Sequence, residues 1–263
     1  MAISRNIPAV RLVGELDHPD FQDAIKLLRS DARIADAEAT PELIIVAQSR
    51  PDAICGDRIK DLQRAAPLAG IATLLGSWCE GETRTGRPWP GIQRLYWYEF
   101  PAWWRRQLQL RAASHCPDWA RPATQLTRQC VPGHPRSRSG LVVLRTARRD
   151  NADALADVLN QAGHSTAWHR HDRTRSHTRG AFAGIWDGGQ LNDAETADLE
   201  VFCTQMFRDG APVVVLLDFP RRDRVDRAYA AGAAAVLGKP YLNADLLTSL
   251  EAAAAASHRT RAA

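Results

Sequence analysis

The stretch from Ala211 to Tyr241 constrains the fold of this chain more than any other. It contains two short apolar runs, Val213 to Leu217 and Ala234 to Leu237, which are typical of buried parallel strands. An arginine-rich segment lies between them, and Gly232 stands where a helix in this segment would end. The apolar positions at helical spacing are Val225, Ala228 and Tyr229. The second run leads directly into Lys239-Pro240, so the stretch predicts strand, helix, glycine stop, strand and a Lys-Pro turn.

The rest of the chain continues this alternation of apolar runs and amphipathic segments. The predicted strands are Pro8 to Gly14, Leu43 to Ala47, Ala69 to Leu75, Arg94 to Glu99, Leu141 to Leu144, Ser165 to His169 and Phe182 to Trp186. The predicted helices begin at Asp17 or Asp20, at Cys55, at Phe100, at Asp150 and at Ala194. Strands that alternate with helices along a chain predict a parallel sheet with helices on its faces.

The length of 263 residues leaves room for two domains of ordinary size. Residues 115–139 contain four prolines and end in a basic run, which favours a semi-extended linker. The sequence therefore predicts a first domain over residues 1–114, a linker over 115–139 and a second domain over 140–263.

Composition excludes several classes of protein. The five cysteines are irregularly spaced, which does not indicate a disulfide framework and suits a reducing compartment. No apolar run approaches the roughly 18 residues of a membrane span, and the first residues lack the apolar segment of a signal peptide. A cytoplasmic protein without membrane contact is expected. The net charge of +4 permits an acidic partner without demanding nucleic acid.

Strand, helix, glycine stop, strand and Lys-Pro together resemble the closing unit of a response-regulator receiver domain of the CheY-like family. The resemblance covers Leu141 to Ala255 and, more weakly, Val10 to Arg111. It implies an α/β fold with two flavodoxin-like, doubly wound parallel sheets of strand order 2-1-3-4-5. The first is expected to be incomplete, because no full strand and helix fit between Ser30 and Pro41. In this family the peptide bond before the closing proline is usually cis.

A receiver domain needs an acceptor Asp after its third strand, acids after the first for Mg²⁺, a hydroxyl after the fourth and a Lys after the fifth. In the second half, Asp187 matches the acceptor and Lys239 matches the lysine. The acids are replaced by Arg145 to Ala147, and Leu217 stands at the hydroxyl position beside Asp218. We therefore expect Asp187 and Lys239 to form a structural ion pair. No cofactor is expected, and Mg²⁺ would be involved only if Asp187 were phosphorylated.

The first half departs further from the receiver pattern. Gln48 stands near the acceptor position and Ser77 near the hydroxyl position, while Glu15 and Asp17 could supply acids after the first strand. Phe100-Pro101 stands where the family has Lys-Pro. Without an acceptor Asp, this half should not be phosphorylated.

The loop from Gly76 to Gly91 has no periodicity and interleaves tryptophan with arginine. Its predicted partner-binding residues are Trp78, Arg84, Arg87 and Trp89. Aromatic and arginine side chains are typical of protein-binding hot spots, and they also stack on nucleic-acid bases. The alternative is structural: Trp97 and one of Trp103 and Trp104 would lie in the core.

Other candidate sites have weaker support. Cys79 lacks a second cysteine at ligand spacing, so a zinc site is not expected. The histidines clustered in sequence are His164, His169, His171 and His177. They could bind a metal or sense pH, but a solvated basic loop fits better because Asp172 is the only acid among them.

Three functions remain open. The first is a non-enzymatic signalling or adaptor protein of two pseudo-receiver domains that acts through contacts with a protein partner. The second is a phosphorylatable response regulator with Asp187 as acceptor. The third, with least support, is a regulator that binds nucleic acid through its basic loop and linker.

Overall fold

The structure, a computed structural model, describes residues 7–36, 38–82, 89–121, 139–170 and 179–262. The chain divides into two compact units, residues 1–129 and 130–263. Residues 118–121, inside the predicted linker range, pack onto the first unit through contacts of Asp118 and Trp119. The predicted domain boundaries otherwise stay predictions.

The first unit contains five strands and three helices among its described residues. The strands are β1 Ala9–Gly14, β2 Arg33–Ile34, β3 Leu43–Gln48, β4 Gly70–Leu75 and β5 Gln93–Tyr96. The helices are α1 Gln22–Asp31, α2 Gly56–Ala65 and α3 Phe100–Ala112. All strands are parallel, in the order β2-β1-β3-β4-β5. Every residue of β3 is buried, as expected for a central parallel strand covered on both faces.

The prediction for Ser30 to Pro41 is confirmed, since no full strand and helix form in its described residues. A two-residue strand, β2, nevertheless pairs with β1 and completes the sheet. Both of its residues are exposed, so no hydrophobic pattern marks it in the sequence.

The second unit also contains five strands, with four helices in its described residues. The strands are β6 Leu141–Thr146, β7 Ser165–His169, β8 Ala181–Asp187, β9 Val213–Asp218 and β10 Ala235–Lys239. The helices are α4 Arg149–Gln161, α5 Asp193–Arg208, α6 Arg222–Ala230 and α7 Asn243–Ala262. The parallel sheet has the order β7-β6-β8-β9-β10.

Both sheets therefore have the order 2-1-3-4-5 of flavodoxin-like doubly wound folds, which includes receiver domains. The predicted fold class is confirmed. In such sheets the site lies at the carboxyl ends of the strands, where the chain order reverses.

Local sequence explains the closing elements of the second unit. Gly232 has a φ of +101°, a left-handed conformation that glycine adopts without strain, and it follows the C-cap residue of α6, Ala231. Val225 and Ala228 of α6 are buried as predicted, whereas Tyr229 is 45% exposed and is not a core residue. The Lys239–Pro240 peptide bond is cis, as the resemblance implied.

Candidate functional site

Asp187 is the last residue of β8 and lies buried at the carboxyl edge of the second sheet. Thr146, at the end of β6, is its strand partner on one side. The ends of β9 and β10 meet at the same edge, where Lys239 pairs with Asp218. Four neighbouring strands thus bring their last side chains together.

The Asp187 carboxylate accepts hydrogen bonds on both of its oxygens. Lys239 Nζ donates to Oδ1 at 2.9 Å. Thr146 Oγ1 donates to Oδ2 at 2.8 Å, and Asn151 Nδ2 donates to the same oxygen at 2.7 Å. The structure therefore brings Asp187 and Lys239 together and adds two neutral donors from β6 and α4.

Lys239 is shared between two carboxylates. Its Nζ lies 2.9 Å from Asp218 Oδ1 and also donates to the carbonyl oxygen of Gly188 at 2.6 Å. Burial alone lowers the pKa of Lys239, but the hydrogen bonds and charges of Asp218 and Asp187 outweigh it and raise the pKa above its ordinary value. The ammonium group therefore remains charged and compensates the buried carboxylate. The phenol of Tyr241 lies near the same charges. Burial raises its pKa to about 12, and the negative charge of Asp187 contributes a smaller part of this increase.

Thr146 and Asn151 were not predicted from the sequence. Thr146 is the last residue of β6, and Asn151 lies in the first turn of α4. Both positions could have been inferred from the rule that a doubly wound sheet places its site at strand ends and at the helices that follow them.

Arg145 occupies the position where a receiver has its acids, and its side chain is paired with Asp198. Successive side chains of a strand point to opposite faces of the sheet, and Arg145 is directed to Asp198 of α5. Its Nε donates to both Asp198 oxygens, at 3.1 and 3.2 Å. Trp186 Nε1 donates to the same carboxylate at 2.8 Å. Arg145 is therefore part of a buried ion pair on the other face.

The corresponding edge of the first unit contains a different set of side chains. Gln48, at the end of β3, is buried and donates from Nε2 to Glu82 Oε1 at 3.3 Å. Arg94 of β5 donates to the other oxygen of Glu82 at 2.5 Å. An amide thus stands where the family has its acceptor carboxylate, and it contacts one member of a buried ion pair. Phe100-Pro101 instead begins α3.

The acids after β1 are bound to backbone and side-chain donors of the same unit. Glu15 accepts from the hydroxyl of Ser49 at 2.6 Å and from its backbone N–H at 2.9 Å. The hydroxyl of Ser49, followed by its N–H, lowers the pKa of Glu15. Asp20, which is buried, accepts from the backbone N–H of Ser77 at 2.7 Å. Asp17 is exposed.

Cys79 lies in the same region and is fully buried. Burial raises the pKa of its thiol to about 11, with smaller opposing effects from Gln48. Because the thiolate is the reactive form of cysteine, this thiol is unreactive at neutral pH.

The tryptophans of the first unit divide into exposed and buried groups. Trp78 is 78% exposed. Trp89 is partly buried and packs against the core cluster that includes Ile59 and Leu62. Arg84 and Arg87, the other predicted partner-binding residues, lie outside the described residues.

The fully or almost fully buried tryptophans are Trp97, Trp103, Trp104 and Trp119. Both Trp103 and Trp104 therefore lie in the core, whereas the sequence predicted that only one of them would be buried there.

The histidine cluster is described only in part. His164 is buried and contacts the ring of Phe182, with centroids 5.2 Å apart. His169 lies in β7, while His171 and His177 fall outside the described residues. Among the residues that the structure describes, no group of three or more His, Cys, Asp or Glu side chains is arranged to hold a metal ion. Within the same residues, no helix is long and apolar enough to cross a membrane.

The sequence matches no protein-family model and no curated protein. Solved structures with a similar fold include response-regulator receiver domains. NtrX from Brucella abortus is 21% identical over 47% of this chain, with a TM-score of 0.41, and the match covers 28% of the NtrX chain. This chain thus spans less than a third of NtrX.

Two further structures are matched over most of their own length. A putative pilus assembly-related protein from Burkholderia pseudomallei is 20% identical over 44% of this chain and 89% of its own, with a TM-score of 0.38. The signal receiver domain of a histidine kinase from Syntrophus aciditrophicus is 20% identical over 45% of this chain and 92% of its own, with a TM-score of 0.38. At these identities the likeness concerns the fold alone. The strand order of both sheets independently gives the flavodoxin-like, doubly wound fold.

Proposed function

We propose that this chain is a non-catalytic signalling adaptor of two pseudo-receiver units that acts through protein–protein contacts. The main support is the hydrogen bonding of the buried Asp187 carboxylate. Both of its oxygens accept hydrogen bonds from side chains of its own unit, and its charge is compensated by Lys239. The carboxylate is thus stabilised within the fold without an ion or a phosphoryl group.

The residues around Asp187 support this view. Mg²⁺ prefers several hard oxygen ligands, and carboxylates after the first strand supply them in receivers. Here that strand ends in Arg145 and Thr146. Arg145 is bound to Asp198, and Thr146 directs its hydroxyl at Asp187. A threonine donor and an arginine thus replace the acids that phosphoryl transfer requires.

Trp78 is the best-placed described residue for contact with a partner. It belongs to a short 3-10 turn that directly follows β4, at the carboxyl edge of the first sheet. A tryptophan that is 78% exposed is unusual on a free surface and common in binding hot spots. We propose that Trp78, together with Arg84, Arg87 and the partly buried Trp89, forms the partner-binding surface.

Replacing Trp78 by alanine is expected to abolish capture of the partner and to leave thermal stability nearly unchanged, because its side chain is mostly exposed. The measurement is affinity capture from the native cell extract, with quantification of co-purifying proteins by mass spectrometry. Phe207→Ala is the matched control, because Phe207 is an aromatic residue with 82% exposure in the second unit. Equal capture by the Trp78 variant and the parent, or equal loss in both variants, would contradict the proposed surface.

A second candidate function has one favourable observation. Lys239 Nζ lies 2.9 Å from Asp187 at the carboxyl edge, as expected for the lysine and acceptor of a phosphorylatable receiver. This function predicts a phosphoryl adduct on Asp187 after incubation with acetyl phosphate and Mg²⁺.

A further inference from the structure

The loop between β1 and α1 contacts the 3-10 turn that presents Trp78. Asp20, in this loop, accepts through Oδ2 from the backbone N–H of Ser77 at 2.7 Å. Ser77 is the first residue of the turn and directly precedes Trp78. Asp20 is 5% exposed, so this hydrogen bond is shielded from water and is stronger than one on an open surface. The position of Trp78 therefore depends on the Asp20 carboxylate.

The start of this turn is packed tightly around Asp20. A Cβ on Gly76 would lie 2.8 Å from the carbonyl oxygen of Ser49 and 3.1 Å from Asp20 Oδ2, so the backbone packs directly against both residues. The backbone N–H of Cys79 donates to the carbonyl oxygen of Gly76 at 3.0 Å and closes the turn. Because close packing leaves no gap to absorb it, a displacement of the Asp20 carboxylate is transmitted to the turn.

His18 is the ionisable group beside this carboxylate. Its Nδ1 accepts from the backbone N–H of Asp20 at 3.3 Å and lies 3.8 Å from Asp20 Oδ2. Since Nδ1 accepts a hydrogen bond, the proton of the neutral imidazole is on Nε2. Within the described part of the chain, His18 is the only basic side chain within 4.0 Å of the Asp20 carboxylate. Its side chain is 32% exposed, so it exchanges protons with water.

Protonation of His18 changes both of its contacts with Asp20. Histidine ordinarily changes charge between about pH 5 and 8. A proton on Nδ1 removes the acceptor for the backbone N–H of Asp20 and makes the same atom a charged donor beside Oδ2. Charge-assisted hydrogen bonds are roughly twice as strong as neutral ones, so the imidazolium binds the carboxylate instead. Shortening the 3.8 Å separation to a hydrogen bond moves the two groups about 1 Å closer.

Two further charged groups act in this region, and neither changes charge over the same range. Glu15 accepts from the hydroxyl and the backbone N–H of Ser49, which lowers its pKa and keeps it ionised. Arg50, in the loop after β3, acts on Glu15 and carries a permanent charge. The ring of Phe21, whose centroid is 5.5 Å from that of His18, has no charge. A change of charge near neutral pH therefore comes from His18.

We propose that His18 is a pH-sensitive switch for the Trp78 surface. With His18 neutral, as in this structure, Asp20 holds Ser77 and presents Trp78. Protonation draws the Asp20 carboxylate toward His18, weakens its hold on Ser77 and displaces Trp78. The displacement depends on these contacts alone, whereas its effect on partner binding rests on the proposed adaptor function.

Fluorine NMR of the full chain labelled with fluorotryptophan tests the switch without a partner. The Trp78 resonance is assigned by its loss in Trp78→Phe. We expect this resonance to shift in a single transition as the pH falls from about 8 to 5, because His18 takes up its proton over this range. The resonance of Trp186, which is fully buried in the second unit, should stay unchanged.

His18→Asn locks the neutral arrangement, because asparagine accepts from the backbone N–H of Asp20 and takes up no proton. The Trp78 resonance of this variant should not move with pH. His115→Asn is the matched control and should retain the transition, because His115 is an exposed histidine of the same unit. The switch is overturned if the Trp78 resonance of the parent does not shift, if it still shifts in His18→Asn, or if His115→Asn removes the transition.

The effect on binding is measured separately, by affinity capture from the native cell extract at about pH 7.5 and 5.5. Capture by the parent should fall several-fold at the lower pH, and an equal fall in His18→Asn would contradict the link to binding. If the fluorine transition is present but Trp78→Ala captures as well as the parent, the switch stands and the adaptor function fails. If Trp78→Ala abolishes capture but no transition appears, the adaptor function stands and the switch fails.

Discussion

Replacing Asp187 by alanine is expected to destabilise the second unit by about 3 kcal/mol. The side chain is 5% exposed and accepts three hydrogen bonds. Its loss leaves the Thr146 hydroxyl and the Asn151 amide without this acceptor in the buried pocket, and such unsatisfied donors are costly. Lys239 keeps Asp218 as a partner, which limits the loss.

Asp187→Asn is the informative companion variant. It preserves the shape of the side chain and one acceptor oxygen but removes the negative charge that faces Lys239. We expect its destabilisation to be smaller, about 1–2 kcal/mol, because Lys239 retains Asp218 and the carbonyl of Gly188. Hydrogen exchange monitored by mass spectrometry on the full chain resolves the second unit from the first. An Asp187→Ala variant as stable as the parent would show that the pocket is not structural.

Replacing Asp198 by alanine should have the largest effect of all, a loss of about 4 kcal/mol in the second unit. The Arg145 side chain is 3% exposed and is paired with Asp198, and Trp186 donates to the same carboxylate. Removing one partner of a buried pair leaves a buried charge uncompensated, which costs more than the pair itself contributes.

Asp226→Ala is the matched control for Asp198. Asp226 pairs with Arg222 at 2.9 Å on the exposed surface of α6, and exposed pairs four residues apart contribute about 0.3–0.5 kcal/mol. Denaturant unfolding followed by hydrogen exchange measures both variants. Similar effects of the two substitutions would contradict the structural role assigned to Arg145 and Asp198. The double variant Arg145→Met/Asp198→Leu should recover much of the loss, because both charges are removed together.

Much of the fold follows from local pattern in the sequence. In α5, four apolar residues at helical spacing form the buried face: Leu199, Phe202, Cys203 and Met206. The apolar runs at β3 and β9 mark central strands for the same reason, because a parallel strand covered on both faces has no polar alternation. In contrast, β2 has two exposed residues and is fixed by pairing with β1, which a local pattern does not encode.

The candidate site was predictable only in part, because its residues are distant in sequence. Asp187 and Lys239 were found through their positions after strands. The burial of Arg145 depends on Asp198, which is 53 residues away. Likewise, the sequence places Asp118 in a proline-rich linker. In the structure its carboxylate accepts hydrogen bonds from Arg106 and Gln107 of α3. The local sequence around a charged residue at a strand end or in a linker does not indicate which distant residue will pair with it.

We propose that Asp187 is a structural residue and not a phosphoacceptor. The most direct test is incubation of the full chain with acetyl phosphate and Mg²⁺, followed by intact-mass measurement, with an active receiver domain treated in parallel. We predict a phosphoryl adduct on the active receiver and none on this protein, because Asp187 is held by Thr146, Asn151 and Lys239. An adduct on this protein that disappears in Asp187→Asn would contradict the claim.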